Sequence, residues 1–142
     1  MKFYIVSPEV AGEIGDDSIV DMSTRPPRVD KLQYVFHGWM GDCIVESIAT
    51  FVVTASVADE IRMSNLTGFE FDCVQVLLSE EFTELFPNQG VPNFFWLKVN
   101  GVVGVDDFSI NGAVDLVVSD SALAIFVRHG LQYAEVREWR PG

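Results

Sequence analysis

An α+β domain, with a mixed, mainly antiparallel sheet carrying two or three helices, is what three features of this 142-residue sequence predict. Strand-like runs outnumber helical ones. Most runs are joined by short connections holding glycine, proline or asparagine. A strand–helix–strand pattern also occurs twice, which is how an α+β layer arrangement is written in sequence.

In chain order, Lys2 to Ser7 reads as an opening strand ended by Pro8. Residues 8 to 30 hold turn formers and acids, including Gly12, Gly15-Asp16-Asp17 and Arg25-Pro26-Pro27-Arg28. They read as irregular, with one short strand at Ser18 to Asp21. Lys31 to His37 is rich in β-formers and reads as the next strand, broken by Gly38 and Gly41 around Trp39. Phe51-Val52-Val53-Thr54-Ala55-Ser56 then enters a helical segment with Val57, Ala58 and Ile61 on one side. Gly68 follows, and a strand is expected from Phe69 to Leu78. Ser79 to Phe86, opening Ser-Glu-Glu, reads as a short helix stopped by Pro87. Asn93 to Val99 is a strand, turned by Asn100-Gly101, and the segment Val102 to Ile110 passes through Asp106-Asp107.

The grammar of residues 51 to 78 returns at the C-terminal end. Leu116-Val117-Val118-Ser119-Asp120-Ser121 leads into a helix with Ala122, Leu123, Phe126 and Val127 on its apolar stripe. Gly130 closes it, and a strand runs from Leu131 to about Glu138. Each copy is a strand, a hydroxyl N-cap, a helix of about three turns, a glycine stop and a strand. The two lie 65 residues apart, Phe51 to Leu116, which reads as an internal duplication. The expected core is Val53, Ile61, Phe71, Phe95, Leu97, Val117, Leu123, Phe126 and Val127. Residues 1–142 are read as a single domain, a length able to bury roughly 70% of its unfolded surface.

Twenty-one acids against nine bases give a net charge of −12. Such a surface repels phosphate, which excludes nucleic acid and anionic membranes as expected partners. It favours solubility and fast association with a basic protein. The N-terminal apolar run is too short for a signal peptide, and no stretch approaches a membrane span, so a cytoplasmic location is expected. Cys43 and Cys73 both adjoin apolar residues and have no Cys-x-x-Cys partner; they read as free, buried thiols.

Catalysis needs a nucleophile, a base within reach and a group that orients the base. Only Cys43 with His37 or His129, and an acid such as Asp42, supplies the residue types, at a spacing that matches no nucleophile signature. Two histidines 92 residues apart do not make a zinc site. Adjacent carboxylates, as in Asp16-Asp17 and Asp106-Asp107, point opposite ways on a strand and suit solvent better than a cation. Gly101-Val102-Val103-Gly104 lacks the helix and lysine of a phosphate cradle. Hence no catalytic residue, metal ligand or cofactor is expected. On the strand at 93–99, Phe95, Leu97 and Val99 share the core face. Phe94, Trp96 and Lys98 share the other, which either contacts a partner or is covered by a helix.

Taken in order, five stretches resemble the eleventh immunity-protein family of bacterial polymorphic-toxin systems. They are Phe51-Val52-Val53-Thr54 with Leu116-Val117-Val118-Ser119, Leu66-Thr67-Gly68-Phe69-Glu70-Phe71, Phe94-Phe95-Trp96-Leu97-Lys98-Val99, and Asp106-Asp107-Phe108-Ser109. The likeness covers most of residues 45 to 140 and is not seen over 8 to 45. It implies a non-catalytic protein that binds and neutralises a cognate toxin, and it brings no catalytic residues. The charge adds that the toxin is basic. Paired, solvent-facing acids are then the expected steering residues: Asp16, Asp17, Glu80, Glu81, Asp106 and Asp107. Trp39 and Trp96 are the expected apolar anchors. The alternative is a structural or regulatory interaction domain that forms a homodimer through open strand edges.

Overall fold

A computed structural model describes residues 1–141. The strands in chain order are β1 (Phe3–Ser7), β2 (Gly12–Ile14), β3 (Ile19–Asp21), β4 (Arg28–Lys31), β5 (Gln33–Phe36), β6 (Ile44–Ser47), β7 (Thr50–Thr54), β8 (Phe69–Asp72), β9 (Gln75–Leu78), β10 (Phe94–Val99), β11 (Phe108–Ile110), β12 (Leu116–Ser119) and β13 (Glu135–Trp139). The helices are α1 (Ala55–Met63), α2 (Glu80–Leu85) and α3 (Asp120–His129). The fold is α+β with mainly antiparallel pairing, as expected, but the strands divide among four sheets. Sheet A has the order β11-β12-β1-β13, sheet B β6-β7-β10-β8, sheet C β2-β5-β9, and sheet D is the β3-β4 pair.

The duplication is real and extends to the register. One unit is β6-β7-α1-β8, the other β11-β12-α3-β13. The strand in the third place of each sheet comes from outside its unit: β10 in sheet B and β1 in sheet A. Phe94, Phe95, Trp96 and Leu97 face Thr54, Val53, Val52 and Phe51. Phe3, Tyr4, Ile5 and Val6 face Ser119, Val118, Val117 and Leu116 in the same way. On the far side, Trp96 is opposite Asp72 and Leu97 opposite Phe71, as Ile5 is opposite Arg137 and Val6 opposite Val136. Since β1 precedes the first unit and β10 the second, each unit's leading strand is lodged in the other unit's sheet.

Reciprocal hydrogen bonds repeat this exchange. Asp42, just before β6, accepts from the backbone N–H groups of Gln132 and Tyr133, both at 2.8 Å, in the loop after α3. Asp107, just before β11, accepts from the Thr67 N–H at 2.9 Å, in the loop after α1. Cys43 N–H donates to the Gly130 carbonyl, and Phe108 N–H to that of Thr67. Gly68 and Gly101 stand at this second junction, where a Cβ on either would run into the Phe108 carbonyl oxygen.

The main core takes one face of sheet A, one face of sheet B and both long helices. It joins Phe51, Val53 and Leu97 to Val6, Leu116 and Val118, through Val57, Ala58 and Ile61 of α1 and Ala122, Ile125 and Phe126 of α3. Glu60 of α1 ties the helices together by pairing with Arg128 and with His129 Nε2, the latter at 2.8 Å. A second core lies on the other face of sheet B, where Val45, Val52, Phe94 and Trp96 meet Leu32, Tyr34 and Phe36 of the sheet C side and Phe82 of α2. On the corresponding face of sheet A a smaller cluster, Phe3, Ile5 and Val117, packs with Trp139.

Several expectations are corrected. The short strand expected at Ser18 to Asp21 is β3, but residues 8 to 30 also hold β2 and most of β4, because short edge strands can be built from turn-rich sequence once a neighbour supplies the ladder. The run Phe69 to Leu78 breaks at Cys73-Val74, and its halves join sheets B and C. Of the hydroxyl caps, Ser119 accepts from Ala122 N–H, whereas Thr54 caps nothing with its side chain. Gly130 has φ +120° at the C-cap of α3, as its position predicts. The stripe of α3 is rotated: Ile125 is buried, Leu123 is partly buried and Val127 is 60% exposed.

Phe126→Ala is expected to cost about 3–5 kcal/mol in denaturant-monitored unfolding, as a fully buried aromatic against both sheets and α1. Val127→Ala, one residue on, is expected to stay within about 0.5 kcal/mol.

Candidate functional site

The non-duplicated segment between β1 and β6 builds a cleft of about 520 Å³ beside Trp39. Tyr34 holds one wall in place: its buried phenol donates to the Glu46 carbonyl at 3.0 Å and accepts from Ala11 N–H at 3.2 Å. This pins residues 9–12 to β6. His37 and Gly38 N–H groups both donate to the Ala11 carbonyl, which brings the chain after β5 alongside. Trp39 is half-buried, its indole N–H donating to the Asp42 carbonyl at 2.9 Å and its ring edge-on to Phe94. Val10, Met40 and Phe86 line the cleft and are exposed.

Two carboxylates, Glu9 and Glu13, complete the lining, which contains no Lys or Arg. Glu9 accepts from Met40 N–H, and burial, ahead of the nearby Asp42 charge, holds its carboxyl above the ordinary range. Glu13 pairs with His37 Nε2 at 3.2 Å. Carboxylates beside exposed apolar groups can take a cation with an apolar stem, which describes a lysine or arginine side chain. The sequence pointed to Trp39 but missed Glu9 and Glu13. A usable signal existed: in extended chain, residues 9, 11 and 13 share a side.

The other expected contact residues do not converge here. Glu80 and Glu81 are exposed at the start of α2, the helix whose end carries Phe86 to the cleft. Asp16 and Asp17 are exposed at the opposite end of sheet C, where Asp17 N–H donates to the Gln33 side chain. Trp96 is not an exposed anchor: it is 4% accessible, with sheet C over one face of its strand and α1 over the other. Its Lys98 neighbour folds back with the ammonium 4.9 Å from the indole and pairs with Glu70 and Asp72. Asp106 and Asp107 are not free charges either. Asp106 accepts from Val102 N–H at 2.6 Å, and Asp107 from Thr67 and from the Ser119 hydroxyl at 2.6 Å.

Of the residue types that could have formed a nucleophile set, each has another partner. Cys43 is buried, donates its thiol hydrogen to the Phe126 carbonyl at 3.4 Å, and burial, then the Asp42 charge, pushes its pKa up to about 12. His37 pairs with Glu13 and His129 with Glu60. Cys73, expected to be buried, is exposed in the break between β8 and β9. No group of three or more metal-ligating side chains occurs among the described residues, and no helix among them is long and apolar enough to cross a membrane. No family model, no curated protein and no solved structure matches the chain.

Two measurements check these environments. A thiol reagent should label one cysteine, Cys73, in the native protein and reach Cys43 only on unfolding. Glu46 titrates near 7, raised first by burial and then by the Asp115 charge. Its folded pKa exceeds its unfolded value of 4.5, so the folded state binds the extra proton and stability should fall as pH rises from about 4.5 to about 7. Glu46→Gln should flatten that part of the stability profile; an unchanged slope would refute the assignment.

Proposed function

We propose that the chain is a non-catalytic binding protein that neutralises a cognate bacterial toxin, a basic protein, by receiving it at the Trp39 cleft. The observation that carries this reading is the lining of that cleft, where Glu9 and Glu13 stand among exposed Val10, Met40 and Phe86 without any balancing Lys or Arg. Apolar groups supply contact area that outlasts salt, and the carboxylates select a cationic partner. The net charge of −12 supports the same partner at long range, and the ordered resemblance to an immunity family supports a toxin as its identity. Cytoplasmic residence, where such a toxin would act on its producer, belongs to the same proposal.

A second reading, self-association, has one observation in its favour. Strand β9 lies at the edge of sheet C with Leu77 and Leu78 both exposed. Light scattering that returns a monomer at every concentration would remove it.

Association with the toxin encoded beside this gene is expected to slow steeply between about 10 mM and 500 mM salt, as the screening length shrinks from tens of Å to a few. Glu9→Gln with Glu13→Gln should lower the on-rate, and Met40→Ala with Phe86→Ala should raise the off-rate. An on-rate flat in salt would rule out a basic partner, and failure of any neighbouring toxin to bind would sink the neutralising function itself.

A further inference from the structure

Three non-glycine residues have positive φ among those described: Ile48 at +44°, Ala49 at +56° and Val114 at +65°. All three line one cleft of about 500 Å³, on a different set of residues from the Trp39 cleft. Ile48 and Ala49 form the two-residue turn between β6 and β7, bounded by the Ser47–Thr50 pair. Val114 lies in the corresponding turn between β11 and β12, so the tips of the two duplicated hairpins meet here. Asn-Gly occupies such a turn without strain, whereas a β-branched residue there is held in a conformation its side chain disfavours.

Burial does not compensate that strain at Ile48, which is 51% exposed. Met22, also lining the cleft, is 62% exposed. Stability therefore does not explain an isoleucine at this tip, and strained residues of this kind concentrate where ligands are held. The charge is also distinctive. Arg25 lines the cleft and makes no ion pair among the described residues, and no Asp or Glu is in the lining. Of the acids close to the lining in sequence, Asp21 accepts from the N–H and hydroxyl of Ser23 at the cleft rim, Asp30 pairs with Arg28, and Asp115 is held by Asn111 and Arg137.

We propose that this hairpin-tip cleft docks a protein segment presenting an apolar side chain next to a carboxylate, the apolar group against Ile48 and Val114 and the carboxylate on Arg25. The charge preference is opposite to that of the Trp39 cleft, so the proposal does not rest on the toxin reading.

The full chain, labelled with ¹⁵N, is titrated with a blocked peptide carrying Leu-Asp-Leu between Gly-Ser flanks, against Leu-Asn-Leu and Leu-Lys-Leu controls. Shifts confined to residues 22–27, 48–49 and 113–114 are expected, with the Asn peptide weaker by about threefold and the Lys peptide weaker still. Arg25→Gln should abolish the difference between the Asp and Asn peptides and leave Tm unchanged. Ile48→Asn combined with Ala49→Gly should raise Tm by about 2–4 °C through relief of strain, yet weaken peptide binding. A fall in Tm would show that Ile48 serves packing, and equal binding of all three peptides, or no shifts at the cleft, would overturn the proposal.

Discussion

The exchange of β1 and β10 between the duplicated units is the constraint on which the rest of the structure depends. A ββαβ unit of this kind leaves a gap between the strand that enters its helix and the strand that leaves it. Both flanking strands run the same way, and each unit's leading strand fills the gap in the other, antiparallel to both neighbours. Neither sheet is complete without residues from the other half, which couples their folding. The reciprocal contacts of Asp42 and Asp107 follow from that arrangement, because the exchange sets the start of each hairpin beside the loop after the other helix.

What distinguishes the two halves is what covers their outer faces. Sheet B receives sheet C and Phe82, and so Trp96 is buried where the related Ile5 belongs to a much smaller cluster. Over sheet A the 100–107 loop reaches as far as Trp139, against whose ring a Cβ on Gly104 would sit at 3.1 Å. The cleft at Trp39 therefore arises in the unduplicated segment, the part for which the sequence offers no internal template. The hairpin-tip cleft forms where the two equivalent turns of the duplicated hairpins meet the loop between β3 and β4 of that same unduplicated segment. The charged groups of the two linings differ: Glu9 and Glu13 stand in one and Arg25 in the other.

The acidic character of the chain divides in a similar way. Part of it is structural: Asp42, Asp106 and Asp107 spend their acceptor capacity on backbone N–H groups, and Glu60 bridges two helices. Glu9 and Glu13, though bonded to the Met40 N–H and to His37, line a cleft with exposed apolar groups.

Sequence alone determined the α+β class, the duplicated unit, a hydroxyl cap at the start of α3, the Gly130 stop and most of the core, including Val53, Ile61, Leu97, Val117 and Phe126. These are local matters: periodicity, a hydroxyl before a helix, a glycine after one. Tertiary structure decided which strand fills each sheet, that Trp96 is internal and that Asp107 is a junction residue. It also decided that Glu9, Glu13, Val10, Met40 and Phe86 gather around Trp39. Strand pairing between residues dozens of positions apart leaves no mark on local pattern, since any antiparallel apolar strand could occupy the gap in either sheet. An aromatic face reads the same in sequence whether a sheet or solvent lies over it, and a carboxylate looks equally free whether or not a distant N–H approaches it.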